Sequence, residues 1–409
     1  MTTTDVVIGG GPAGAAAAAT LRESGTSTDV VLIGDEPNAP YERPELSKGY
    51  LAENTERDAL DVHPATWYAE HEITLLTGRR ATAIDRAAHE VVLEDGTRVG
   101  YTRLLLATGS EPLPLRVPGA DLAGVHTLRR VEDSEAIRKA IRAGGPLVVV
   151  GGGWIGLEVA AVARQAGLSV VLLEGGPAPL ARVLGERVGA EFADLHRAHG
   201  VDVRTGVTVA ELRGDDAGHV RTVALDDGTQ FPASAVVCAV GIRPRTELAE
   251  AAGLDVDDGI VVDATLRTAD PAIWAAGDVA NAENDWAGRR LRVEHHANAT
   301  DQGPFAGRSM AGADRRWDLP PFLWSDQYDV GLEYRGWADP RTARVVVRGT
   351  PGQGPWQAFW LDDAQRVAAA MHVNAWDEAD VLKRFVTDRV EVDPEALSDP
   401  RSPLTPSRP

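Results

Sequence analysis

An α/β fold with two Rossmann-like units and a C-terminal α+β domain is what this sequence predicts, and three observations predict it. An apolar strand running into Gly-X-Gly-X-X-Gly occurs twice. Each copy closes on an apolar strand followed by Ala-X-Gly-X-X-Pro. From Pro320 onward alanine-rich helical texture gives way to aromatic and β-branched segments, which read as a small, mainly antiparallel domain.

The first copy begins with the strand Asp5-Val6-Val7-Ile8, passes through Gly9-Gly10-Gly11-Pro12-Ala13-Gly14 and enters a helix from Ala15 to Leu21. Its next strand, Val30-Val31-Leu32-Ile33, ends at Gly34-Asp35-Glu36. The order then recurs: Leu147 to Val150, Gly151-Gly152-Gly153-Trp154-Ile155-Gly156, a helix through Ala166, and Val170 to Leu173 ending at Glu174. The closing segments are Leu104-Leu105-Leu106-Ala107-Thr108-Gly109-Ser110-Glu111-Pro112 and Val236-Val237-Cys238-Ala239-Val240-Gly241-Ile242-Arg243-Pro244. Further strands follow at 259–263 and 273–278 without a fingerprint of their own. Strands at 343–348 and 356–360 belong to the last domain, and a proline- and serine-rich stretch from Ser398 reads as a loose tail. The expected division is 1-112 with 241-316, then 113-240, then 317-397, with the tail at 398-409.

Each glycine of the fingerprint has its own task. In Gly9-X-Gly11-X-X-Gly14 the first permits the tight turn, the second lets backbone approach a pyrophosphate, and the third lets helix and strand pack closely. The helix N-terminus then offers unpaired amides and a positive dipole end to the anion. Asp35, 21 residues after Gly14, matches the carboxylate that accepts from a ribose, with Glu36 as the adjacent alternative. In Gly151-X-Gly153-X-X-Gly156 the corresponding acid is Glu174, 18 residues after the last glycine. That carboxylate favours a free ribose 2'-hydroxyl over a 2'-phosphate, and Gly175 and Gly176 supply no arginine in compensation, so NADH is the expected ligand. Two complete dinucleotide-binding fingerprints suggest a relay in which a mobile nicotinamide feeds a tightly held flavin, FAD.

Composition narrows the alternatives. A formal net charge of -20 argues against nucleic-acid binding, which needs a basic face. Arg289-Arg290-Arg292 and Arg315-Arg316 are either a local positive dock or a solvated surface. No apolar run approaches the ~18 residues of a membrane span, and the N-terminus lacks a basic segment followed by an apolar one, so a cytoplasmic chain without membrane attachment is expected. Cys238 is the sole cysteine, which excludes an internal disulfide, a C-X-X-C redox pair and a four-thiolate iron-sulfur cluster in this chain.

Pro40-Tyr41-Glu42-Arg43-Pro44-Glu45-Leu46-Ser47-Lys48, Gly151 to Glu158, Ala276-Gly277-Asp278-Val279 and Trp324-Ser325-Asp326-Gln327-Tyr328-Asp329 resemble the FAD-dependent ferredoxin reductases of bacterial monooxygenase and dioxygenase systems. The likeness runs along almost the whole chain. It implies an FAD domain interrupted by an NAD domain, followed by the C-terminal domain. It places FAD on the first fingerprint, with Ala13 at the pyrophosphate turn, Asp35 on the ribose and Asp278 on the ribityl chain or as a helix N-cap. Arg43 and Arg129 become flavin-nucleotide contacts, although either fits an ordinary surface arginine. Lys48, one of only three lysines, becomes the residue beside the flavin, paired with Glu158 where nicotinamide meets isoalloxazine. Trp324 projects toward the flavin or belongs to the core. His296 contacts the flavin ring, since His295-His296 without a third ligand make a poor metal cage. The implied cofactor contacts also include Pro12, Ala81, Ala107, Thr108, Gly109, Trp154, Ile155, Gly241, Glu294 and His295.

The activity implied is passage of electrons from NADH through FAD to a [2Fe-2S] ferredoxin that serves a cytochrome P450 or ring-hydroxylating dioxygenase, by a monomer or weak homodimer. A rubredoxin or monodehydroascorbate reductase and an NADH-responsive flavoprotein resembling apoptosis-inducing factor are the neighbouring readings. A disulfide reductase or NADH peroxidase lacks its redox cysteine here. Three departures bear on the partner: Glu45 stands where the family has proline, Leu323 where an aromatic precedes Trp324, and His295-His296 where several relatives are less polar.

Overall fold

The computed structural model describes residues 3–25 and 28–405. The chain forms two compact units, each assembled from separated segments: Met1–Arg43, Glu56–Glu111 and Arg243–Leu323 in the first, and Pro44–Thr55, Pro112–Ile242 and Trp324–Pro409 in the second.

The first unit is built on a parallel five-stranded sheet in the order Ile273–Ala275, Arg103–Leu106, Thr4–Ile8, Asp29–Ile33, Ile73–Leu76. Its central strands are continuous apolar runs because both faces are covered, as parallel sheets require. Val6, Val7, Leu104 and Leu105 have no accessible surface. The helix Pro12–Glu23 starts at a proline, whose missing amide costs nothing in a first turn, and continues through alanines, the residue with the highest helix propensity. The helix His296–Met310 packs against it at very short range. A side chain at Gly303 would come within 2.4 Å of the Ala13 carbonyl, and one at Gly307 within 2.9 Å of Ala17. The alanines of one helix and the glycines of the other therefore explain each other.

The second unit repeats the order: Asp202–Thr205, Val170–Glu174, Leu147–Val150, Ala235–Cys238, Val125–His126, all parallel. In both sheets the fingerprint strand is central, its successor lies on one side and the closing strand on the other. The outer strand beyond the closing strand differs in origin, coming from a later segment in the first sheet and an earlier one in the second. The second unit also holds an antiparallel sheet in the order Phe322–Gln327, Val330–Gly336, Val367–Val373, Trp356–Leu361, Arg344–Arg348. The helix Ala379–Thr387 covers it with Leu382, Phe385 and Val386. This is the α/β chain with a C-terminal α+β domain that the sequence predicts.

Of the segment read as a tail, Ser398 ends the helix Pro394–Ser398, and the carbonyls of Asp399, Pro400 and Ser402 accept from the buried guanidinium of Arg348. Residues 406–409 lie outside the described residues. No described helix is long and apolar enough to cross a membrane.

Candidate functional site

The fingerprint glycines separate into those the protein needs and those it does not. Gly9 and Gly151 have φ of +129° and +107°, and a Cβ on either would lie 2.0 Å from the Ala107 carbonyl or 2.3 Å from the Ala239 carbonyl. A Cβ on Gly14 or Gly156 would lie 2.0 Å from the carbonyl of the first glycine of its own motif. These four are fixed by backbone packing. Gly11 and Gly153, in contrast, have extended conformations, and a Cβ on either would meet nothing within 4 Å. Nothing in the protein demands glycine there. Open space in front of a helix N-terminus, kept free of a side chain, is a cradle that a pyrophosphate fits. Pro12, Ala13, Trp154 and Ile155 form the first turns of the two helices above it.

In the first unit the acidic end of the second strand is enclosed by cations. Asp35 pairs with Arg245 at 3.2 Å, and Glu36 accepts from Arg43 at 2.7 Å and from the Tyr41 hydroxyl at 2.5 Å. Burial opposes charge on Arg43, but Tyr41, Glu36 and Asp278 outweigh it and hold its pKa above the ordinary value. Asp278 sits inside the single helical turn Gly277–Val279, whose N-cap position is Ala276. The Gly277 amide is bound by Gln302 at 2.9 Å. Glu294 pairs with Arg292, yet burial, with Asp278 adding, keeps its carboxyl above the usual range. Of the two histidines, His295 caps the helix His296–Met310 by accepting from the Ala297 amide, and His296 faces Glu42 at 3.0 Å. Among the described residues no cluster of three or more His, Cys, Asp or Glu can hold a metal. Thr108 donates to the Arg245 carbonyl, and the Arg245 amide donates to the Gly109 carbonyl, so the closing turn holds Arg245 in place. Ala81 opens the strand Ala81–Asp85 and is buried.

The second unit contains Lys48, Glu158, Glu174, Arg129, Gly241 and Trp324 together with the second fingerprint. Lys48 is there because Pro44–Thr55 packs on the helix Val131–Ala143: Ser134 donates to the Leu46 carbonyl, Tyr50 bonds Glu135, and Arg138 lies over the Tyr50 ring. Glu158, 4% exposed, lies one turn into the fingerprint helix. Its carboxylate accepts from Lys48 Nζ at 2.7 Å, the Ser47 hydroxyl at 2.5 Å and the Ser325 hydroxyl at 2.6 Å. A buried carboxylate is costly without such partners, and here a cation and two hydroxyls supply them. Glu174 bridges two loops, accepting from the Gly152 and Gly176 amides at 2.6 Å each. Gly241 has φ of +117° in the second closing turn. Arg129 precedes the helix Val131–Ala143, and its amide donates to Asp133. Trp324 is half-buried, not a core residue, on the strand Phe322–Gln327.

Sequence reasoning missed Ser47, Ser325, Arg245 and Gln302. The two serines adjoin residues it had singled out, but the carboxylate they satisfy lies 111 and 167 positions away. Three arginines of the two clusters are paired with acids: Arg290 with Glu283, Arg292 with Asp258, and Arg316 with Asp285. Cys238 is buried in the strand Ala235–Cys238, and burial pushes its thiol up to about 11. It is an apolar filler, not a nucleophile.

Residues 4–303 match the family model described as pyridine nucleotide-disulphide oxidoreductase, and residues 322–407 match the one described as reductase C-terminal. The chain is 40% identical to putidaredoxin reductase of Pseudomonas putida over 98% of this chain and 95% of that protein. It is 39% identical to the biphenyl dioxygenase system ferredoxin–NAD(+) reductase component of Paraburkholderia xenovorans, covering 99% of this chain and 98% of that one. The crystal structure of the covalent putidaredoxin reductase–putidaredoxin complex superimposes with a TM-score of 0.94 at 39% identity, covering 98% of this chain and 97% of that chain. Two dinucleotide cradles, a single inert cysteine and these full-length likenesses lead to one conclusion: the chain belongs to the pyridine nucleotide-disulphide oxidoreductase family, among its ferredoxin–NAD(+) reductases, enzymes that join FAD to NAD(H).

Proposed function

We propose that this protein is a cytoplasmic NADH:ferredoxin reductase, carrying electrons from NADH through FAD to a small [2Fe-2S] ferredoxin that feeds a cytochrome P450 or a ring-hydroxylating dioxygenase. FAD belongs to the first fingerprint, Gly9 to Gly14, and the domain of residues 1-112 and 241-316. NADH belongs to the second, Gly151 to Gly156, in the domain of residues 113-240. The observation that carries the reading is the Lys48–Glu158 pair, whose buried carboxylate is set two residues beyond the last glycine of the NADH fingerprint.

The chemistry the flavin supplies when bound is the conversion of a two-electron donor to one-electron output. The protein's own groups hold the reactants. Gly153 leaves room for the NADH pyrophosphate, and Glu174 favours a free ribose hydroxyl over a phosphate. Lys48 donates from Nζ to Glu158 and would present its ammonium to the flavin, which becomes negative on accepting hydride, while Glu158 fixes the ammonium and would orient the carboxamide. Trp324 lines the exit for electrons. The lone cysteine is buried, which supports an external acceptor over a disulfide of this chain.

Steady-state reduction of cytochrome c by NADH, with and without a purified [2Fe-2S] ferredoxin, tests this. Turnover that depends on the ferredoxin and saturates with it is expected. Equal rates without it, or rates that respond only to a rubredoxin or ascorbate radical, contradict the proposal.

A further inference from the structure

Glu158 is the terminus of a hydrogen-bonded chain that the hydride step does not by itself require. Along the strand Phe322–Gln327, Ser325 and Gln327 face one side and are buried, while Asp326 between them is exposed. Ser325 meets Glu158 Oε1 at 2.6 Å, and Gln327 Nε2 meets Ser325 Oγ at 3.2 Å. Gln327 Oε1 lies 3.0 Å from His196 Nε2, and the Tyr328 hydroxyl lies 3.2 Å from His196 Nδ1. His196 belongs to the helix Glu186–Ala198 and has no accessible surface. His199, the C-cap of that helix, stacks on the Tyr328 ring at 3.7 Å and 7°.

Only one arrangement of protons satisfies every link. The Glu158 carboxylate accepts, so Ser325 must donate to it. The Ser325 oxygen then accepts from the Gln327 amide nitrogen, the only donor that side chain has. The Gln327 carbonyl oxygen can only accept, so His196 carries its proton on Nε2, and Nδ1 is left to accept from Tyr328. Every donor in the chain therefore points toward Glu158, and each bond polarises the next in the same sense. Burial pushes His196 down to about 4, which keeps the ring neutral, and the bonds to Gln327 and Tyr328 set its tautomer.

We infer that Ser325, Gln327 and His196 are positioning residues for the hydride step: through their unidirectional hydrogen-bond chain they lock the rotamer of Glu158 and, through it, the place of Lys48. The inference rests on the reading of Lys48 and Glu158 as the hydride-transfer pair. It also gives the C-terminal strand a second task beside carrying Trp324, because adjacent residues of one strand fix Glu158 on one face and place the tryptophan on the other.

Rapid mixing of the FAD-loaded protein with NADH separates binding from the limiting rate of flavin bleaching. Ser325→Ala should lower the limiting rate on the order of tenfold with the NADH dissociation constant held within about twofold, as expected when a group beside the reacting atoms loses the bond that fixes its place. Ser325→Thr, which keeps the hydroxyl, should restore it. A Ser325→Ala rate equal to wild type overturns the inference, as does a Ser325→Thr protein that falls as far. A second measurement needs no turnover: the 15N spectrum of the histidine side chains, with His196 assigned by its loss in His196→Gln. The chain requires a neutral ring protonated on Nε2 at pH 7, and Gln327→Glu should convert it to the doubly protonated form. A wild-type ring protonated on Nδ1, or on both nitrogens, contradicts it. If wild-type flavin fails to bleach with NADH, the reductase reading fails, while the spectrum still decides for or against the chain.

Discussion

The two fingerprint copies have the same backbone and opposite contents. In both, the first and third glycines are held by carbonyls at about 2 Å from where a Cβ would stand, and the middle glycine faces open space. They part at the second residue after the last glycine, which is Ala16 in one copy and Glu158 in the other. Ala16 allows the helix His296–Met310 to close in, with a Gly303 Cβ only 3.0 Å from the Ala16 methyl. Glu158 does the reverse, drawing in Lys48, Ser47 and Ser325 as polar partners. One copy is closed by apolar packing and the other keeps a charged pair beside it; under the proposed assignment the first would suit a cofactor that stays and the second a ligand that comes and goes.

Changes at this position and around the glycines break the comparison most sharply. Glu158→Ala makes the second copy resemble the first and leaves Lys48 without its carboxylate; flavin bleaching by NADH should slow about 10²- to 10³-fold, the range for loss of a preorganised electrostatic group, as read by rapid mixing. Next come the middle glycines. A methyl intruding on a bound pyrophosphate costs about 1–3 kcal/mol, so Gly11→Ala should weaken FAD retention and Gly153→Ala should raise the KM for NADH, each roughly tenfold or more. Flavin content per chain and steady-state kinetics distinguish the two, and exchange of the two phenotypes contradicts the assignment of cofactors. Glu174→Gln removes the charge and, with a single accepting oxygen, keeps only one of the two bonds to the Gly152 and Gly176 amides; the preference for NADH over NADPH should fall on the order of tenfold. The smallest effect is expected at Cys238. Cys238→Ala should leave ferredoxin reduction within about twofold, a buried substitution remote from the chemistry. With its thiol raised to about 11 by burial, the native protein should also resist thiol reagents at pH 8 until it is unfolded.

What could be read from the sequence follows from how local each constraint is. The strands, the glycine turns and the two acidic strand ends are set within a few residues of one another, and strands such as Thr4–Ile8 and Val170–Glu174 lie where the apolar runs stand. The resemblance carried the pairing of Lys48 with Glu158, and the 2.7 Å contact between them spans 110 positions. Distant contacts without a motif were not legible. Arg245 reaches Asp35 across 210 positions, and no spacing rule connects them. The pairing of Gly303 and Gly307 with an alanine helix was implicit in their four-residue spacing but had no partner until the fold was known. Ser325 looked like any strand serine beside Trp324 because the carboxylate it satisfies lies 167 positions away.

Anaerobic rapid mixing of the FAD-loaded protein, first with NADH and then with a [2Fe-2S] ferredoxin, tests the central claim most directly. Bleaching of the flavin by stoichiometric NADH, followed by recovery of its absorbance as ferredoxin is reduced in single-electron steps, is the predicted result. Flavin that stays oxidised in excess NADH, or that stays bleached in the presence of oxidised ferredoxin, contradicts the account.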